Sequence, residues 1–232
     1  MSNKELIGII GAMQVETEGL VAEMTEKKVE TVSGVKFTSG KLCGRDVVVA
    51  TCGVGKVFAA ICAEAMILKF GVTALLNTGV AGGLLPELEI GDVALADKVV
   101  QHDMNTTALG DPQGLLSGIN IVEISTSNKL LKPLCEATAE LEYNGAVGTI
   151  ASGDLFVAKQ STKDYITKTF DAIACEMEGA AIGHVAYVNE VPFAVLRVIS
   201  DGGDGMEFTE FVKIAAERSV KLTKKFLELW EQ

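Results

Sequence analysis

Six short aliphatic runs recur along the chain: LIGII (6–10), DVVVAT (46–51), ALLNT (74–78), DVALADKVV (92–100), AVGTIAS (146–152) and FAVLRVIS (193–200). Most end in Gly, Asp or Ser, and continuous apolar runs of this length suit strands buried on both faces. Between them lie helical patterns. Phe58, Ile61, Cys62, Ala65, Met66 and Lys69 follow helical spacing, as do Phe208, Phe211, Ala215, Ser219, Leu222, Phe226 and Leu229. The second pattern carries Lys213, Glu217, Lys221, Lys224 and Glu228 off its apolar stripe, as a surface helix should. Strands alternating with helices predict an α/β fold, one domain over 1–232, with a mixed, mostly parallel central sheet flanked by helices. The chain is 48% hydrophobic but only 6% aromatic, with 24 glycines, so the core must be aliphatic. There is no linker, repeat or low-complexity segment.

A net charge of -11 argues against nucleic-acid and anionic-membrane partners, which want a basic patch. It leaves room for a nucleoside, whose base and sugar are neutral. The five cysteines (43, 52, 62, 135, 175) are odd in number and lack a CxxC spacing, which favours buried thiols in a reducing cytosol over disulfides or zinc. The start MSNKELIGII lacks a signal-peptide pattern, and no apolar run reaches the length of a membrane span, so a cytoplasmic protein is expected. Asn105-Thr106-Thr107 matches a glycosylation sequon, which means little without secretion.

Two segments imitate nucleotide motifs without being them. GVGKV (53–57) has no Gly at position 50 and no Ser or Thr after Lys56; GIIGAM (8–13) misplaces the second glycine of GxGxxG and lacks the third. The loop GAMQVETE (11–18) sits where phosphate loops usually do, yet it supplies Glu16 and Glu18 and holds no cation, the next one along the chain being Lys27.

Charges interrupt apolar sequence at three places. Glu16 suits a helix first turn, where it favours the macrodipole; a site at the strand's end is the alternative. In IACEMEGAAIGHVAYV (173–188) the only acids are Glu176 and Glu178. If CEME is extended, both carboxylates share one face and Met177 points to the other; a helix N-cap with a salt bridge is the alternative. Arg197, inside an aliphatic strand, requires a carboxylate partner. Asp201 stands at a strand's carboxyl end, where it either closes an Asx-turn or contributes to a ligand site. The chain has no His pair, Ser-His or Cys-His couple in evidence, and His102 and His184 stand alone. Converging carboxylates of this kind suit acid/base chemistry at a neutral or cationic centre.

IGIIGAM followed by Glu16, GVGKV, NTGxAGG (77–83), GD at 91–92, HD at 102–103, SGDxF (152–156), CEMEGAA and RVISD (197–201) occur in order over nearly the whole chain. In this the chain resembles the 5′-methylthioadenosine/S-adenosylhomocysteine nucleosidases of the purine nucleoside phosphorylase-like superfamily, and GAMxxE is the part that singles out the hydrolases. The resemblance implies a nucleoside phosphorylase-like fold, adenine release from a small-molecule nucleoside, no cofactor or metal, a cytoplasmic setting and a homodimer, the last in keeping with a mean hydropathy of +0.32. It implies that Glu16 activates water for attack on the anomeric carbon, and that Asp201, oriented by Ser200, protonates adenine at N7. Glu178 would bind ribose hydroxyls with Met177 along the sugar. Phe156 would stack near the purine, whose edge the backbone of Val157 would read. Met13 and Phe208 would line the ribose and 5′ region, and Arg197 would help place the water. Val54, Val80 and Glu176 complete the implied substrate-binding set.

Two departures stand out. Val80 replaces a common Ser whose hydroxyl helps hold the water. Leu109 and Asp111 replace aromatics in the segment 102–118, which by resemblance caps the neighbouring subunit's 5′ pocket. Three rival readings remain. A phosphorylase of this fold needs a cationic phosphate pocket, which three arginines in all (Arg45, Arg197, Arg218) disfavour. A nucleosidase for aminodeoxyfutalosine would carry the same motifs. A silent nucleoside binder would have no use for a general base.

Overall fold

The computed structural model describes residues 5–202 and 204–230. The aliphatic runs become β1 (Ile7–Gly11), β4 (Arg45–Thr51), β5 (Ala74–Gly83), β6 (Val93–Gln101), β8 (Gly145–Ser152) and β10 (Phe193–Asp201). Alternate residues of one strand enter opposite cores. Val47 and Val49 pack with Leu20, Leu222 and Phe226 on one side of the sheet. Val48 and Ala50 pack with Cys62, Met66 and Ile182 on the other. This two-sided burial is why the runs are continuous rather than alternating.

Strands β4, β1, β5 and β10 lie side by side in parallel. So do β6, β8 and β9 (Ala172–Glu176). Two antiparallel seams, β10 with β6 and β5 with β9, join the groups, so the ladder from β5 through β10, β6, β8 and β9 returns to β5. The remaining strands are β2 (Thr25–Val32) and β3 (Val35–Leu42), an antiparallel extension of β4, and the short β7 (Ile124–Ser125) on β6. The helices are α1 (Gln14–Glu23), α2 (Lys56–Ala65), α3 (Asn128–Glu140), α4 (Gln160–Phe170), α5 (Gly179–Val188) and α6 (Gly205–Leu229).

α6 buries Ala215, Ser219, Leu222 and Phe226 and exposes Lys213, Glu217, Lys221 and Glu228, as its periodicity predicts. α2 departs from expectation. It buries Ala59, Cys62 and Ala63, while Phe58 and Ile61 are 53% and 39% exposed. Its small residues face the sheet and α5, which allows close approach and leaves the bulky face outward. Ring closure sets the site: Asp201 lies opposite Gly82, Gly82 opposite Cys175, and Ser152 opposite Glu176. Residues from β5, β8, β9 and β10 are thereby brought to one end of the sheet.

Candidate active site

Glu16 enters this end from the first turn of α1 and is only 3% exposed. Its Oε2 accepts the backbone N–H groups of Ala12 (2.7 Å) and Met13 (2.8 Å), and its Oε1 accepts that of Val80 (3.0 Å). Burial pushes the Glu16 pKa up, opposed by the Arg197 charge and these N–H donors. Any side chain at Gly79 would collide with the carboxylate. Glu16 is thus a first-turn acid that also lines the cavity.

CEME is not extended throughout, contrary to the shared-face expectation. β9 ends at Glu176 and the chain bends at Met177, so that Glu178 becomes the N-cap residue of α5. The bend gives the two acids different work. Glu176 accepts hydrogen bonds from Ser152 Oγ, Arg197 Nη2 and the backbone N–H groups of Glu178 (3.0 Å) and Gly179 (2.8 Å). Burial alone would raise its pKa, but Arg197 and these donors hold it below the usual carboxylate range. Glu176 lines the cavity, yet its carboxylate is committed to anchoring Arg197 and the start of α5. Arg197 also donates to Asn77 Oδ1 and lies behind the acids, outside the cavity lining.

Glu178 also lines the cavity. Its Oε1 accepts the Gly55 N–H (2.8 Å), and its Oε2 is 3.9 Å from Arg197. Burial, and then the neighbouring Glu176 charge, push its pKa up to about 7 against the pull of Arg197 and Gly55. Asp201, 2% exposed, accepts a hydrogen bond from Ser200 Oγ (2.8 Å) at Oδ2.

These groups surround a cavity of about 300 Å³, whose walls include Met13, Val80, Met177 and Phe156. Phe208 packs edge-on to Phe156, ring centroids 5.7 Å apart, and Val54 stands half-exposed at the rim. A hollow of about 40 Å³ opens beside Val157, Phe156 and Asp201. Leu109 (82% exposed) and Asp111 do not line the cavity of their own chain.

The GVGKV turn is tied to acids from within the chain: Gly55 N–H to Glu178, and Lys56 N–H to Asp154 Oδ1 (2.8 Å). Sequence reasoning gave no role to Asn77, Gly79 or Asp154, although the NTG and SGD motifs that hold them were visible. Buried carboxylates around a nucleoside-sized cavity can move protons at a sugar and at a leaving base.

Fold and site together define an α/β enzyme of the nucleoside-cleaving type. The family model described as the phosphorylase superfamily matches residues 6–228, and the chain belongs to that superfamily and, within it, to the 5′-methylthioadenosine/S-adenosylhomocysteine nucleosidases. A nucleosidase of that name from Shewanella baltica is 37% identical over 227 residues, 96% of each chain. The Neisseria meningitidis nucleosidase, solved in complex with methylthio-immucillin-A, superposes with a TM-score of 0.93 at 32% identity, covering 97% of this chain and 99% of that one. A structure of futalosine hydrolase from Helicobacter pylori gives a TM-score of 0.92 at 35% identity, covering 97% and 98%.

Proposed function

We propose that the enzyme hydrolyses the N-glycosidic bond of 5′-methylthioadenosine and S-adenosylhomocysteine, and of 5′-deoxyadenosine, releasing adenine. The observation that carries this reading is Glu16: where the loop could cradle phosphate stands a buried carboxylate, held by the N–H groups of Ala12 and Met13 from the loop and of Val80 from β5. In the reaction the C1′–N9 bond breaks as water oxygen bonds to C1′. Glu16 takes the water proton, and its burial-raised pKa suits a base. Asp201, fixed by Ser200, gives a proton to N7 so that adenine leaves neutral. Glu178 grips the ribose hydroxyls, and its ionised form stabilises the positive charge developing on the sugar. Val80 contributes a backbone N–H to Glu16 rather than a hydroxyl to the water.

This activity belongs to methionine salvage and the methyl cycle and needs no secretion, in keeping with a cytoplasmic enzyme. Val57, Phe58, Ile61 and Leu68 form an exposed apolar row along α2 and the π-helical segment Met66–Phe70 that continues it, which supports a homodimer. A second reading, aminodeoxyfutalosine as substrate, is favoured by the futalosine hydrolase likeness and by the small residues Leu109 and Asp111 at the 5′ cap. The test is adenine release in phosphate-free buffer, with methylthioadenosine, adenosylhomocysteine, 5′-deoxyadenosine and aminodeoxyfutalosine side by side. Turnover of the first two without phosphate is expected; a strict phosphate requirement would overturn hydrolysis.

A further inference from the structure

Three loops meet beside Glu178 through one polar clasp. Lys56 follows the turn after β4, Asp103 follows β6, and Asp154 follows β8. Lys56 Nζ donates to Asp103 Oδ1 (2.6 Å) and to Gln101 Oε1 (3.2 Å). Asp103 Oδ2 accepts the Asp154 N–H (2.9 Å), and Asp154 Oδ1 accepts the Lys56 N–H (2.8 Å), which closes the circuit. Below it, the His102 N–H bonds to the Ser152 carbonyl (2.9 Å), and any side chain at Gly153 would strike the His102 ring. Burial holds the His102 pKa down, and with the Lys56 side chain 18% and the Asp103 side chain 30% exposed, their ion pair adds little to stability. Its geometry gives it another use. Gly55, one residue before Lys56, has a φ of 103° and aims its N–H at Glu178 Oε1 (2.8 Å). Two residues beyond Asp154, Phe156 reaches the cavity.

We propose that Lys56 and Asp103 are positioning residues of this site. Acting through Asp154, they fix the glycine turn where its N–H meets Glu178, and tie it to the loop carrying Phe156 and Val157. The grip on the sugar and the grip on the base are then set by one clasp. This rests on the nucleosidase reading for its effect on turnover, but not for its effect on Glu178. That carboxylate is faced by Glu176 from β9, Arg197 from β10, Glu16 from α1 and the Cys52 thiol, and none of these hydrogen-bonds to Lys56 or Asp103. Loosening the turn removes the one donor that the clasp controls and leaves the others in place.

The experiment compares Lys56→Met, Asp103→Ala and Lys56→Arg with the parent protein in two ways. Carboxylate NMR of the unliganded, carbon-13-labelled protein follows the Glu178 titration. Steady-state kinetics with methylthioadenosine follow kcat and KM across pH. The Glu178 midpoint is expected to rise above its parent value in Lys56→Met and Asp103→Ala, and the rise of activity with pH should move by the same amount. Their kcat should fall about tenfold or more, since small misplacements of reacting groups cost that much. Lys56→Arg keeps the pair and should stay near the parent on both readouts. An unmoved Glu178 midpoint in both disrupting variants would overturn the proposal, even if melting temperature or activity dropped. If the parent released no adenine, the functional reading would fall, and the NMR comparison would still decide the clasp.

Discussion

Glu16 uses both carboxylate oxygens on backbone donors, and that exactness of charge is what an amide cannot copy. In Glu16→Gln the side-chain NH₂ must face either the Ala12 and Met13 N–H pair or the Val80 N–H, donor against donor. Turnover should fall at least about 100-fold with the loss of the base, while adenine still binds in calorimetry; an unaffected kcat would remove Glu16 from the chemistry. Glu16, Glu178 and Asp201 were legible because each is a charge interrupting apolar sequence, and burial of such a charge demands a reason. The division between Glu176 and Glu178 was not legible. The two are the same residue type two positions apart, and only the bend at Met177 makes one an anchor and the other a group facing the cavity. Asp103 and Asp154 were hidden for a different reason: acids in polar loops are ordinary until their partners from distant loops are known.

At the scale of elements, α5 must place Glu178 at its N-cap while packing tightly on β10 and β6. Gly183 sits mid-helix, where glycine costs about 0.5–1 kcal/mol relative to alanine. A methyl there would lie 2.7 Å from the Phe193 ring and 3.0 Å from Val99, so the gain in helix propensity is outweighed by overpacking. Gly183→Ala should therefore destabilise the protein by a net of about 1–2 kcal/mol, lowering Tm by several degrees in a calorimetric scan; an equal or higher Tm would show that the helix can move outward freely. Elements buried on both faces were readable from continuous aliphatic runs. β2, with the sequence TEKKVETV and almost wholly exposed, carries no such signal, because its place is set by pairing with β3 rather than by burial. α2 was readable as a helix, but its outward face was not, since spacing reports which residues share a face and not which face the sheet takes.

On the scale of the whole molecule, the outward face of α2 and the net charge act in opposite senses. Val57 (69% exposed), Phe58, Ile61 and Leu68 (71% exposed) present apolar surface, while each chain carries -11. Two like-charged copies that meet through an apolar face repel at long range and attract at contact, so added salt should tighten the proposed dimer by screening the first effect. Because Val57 and Ile61 are solvent-facing in the single chain, Val57→Glu with Ile61→Glu should leave the fold's Tm at low protein concentration nearly unchanged. The same pair of acids would be buried unpaired in a dimer built on α2, which costs far more than the contact can return. Sedimentation velocity is accordingly expected to find the parent as two chains and the double variant at about the 24.5 kDa of one. Its activity should drop as well: in the proposed dimer the segment 102–118, with Leu109 standing 82% exposed and away from its own cavity, is expected to cap the neighbour's 5′ pocket. A variant that still sediments with the parent would place the contact on another face, and a monomer with full activity would remove segment 102–118 from the site.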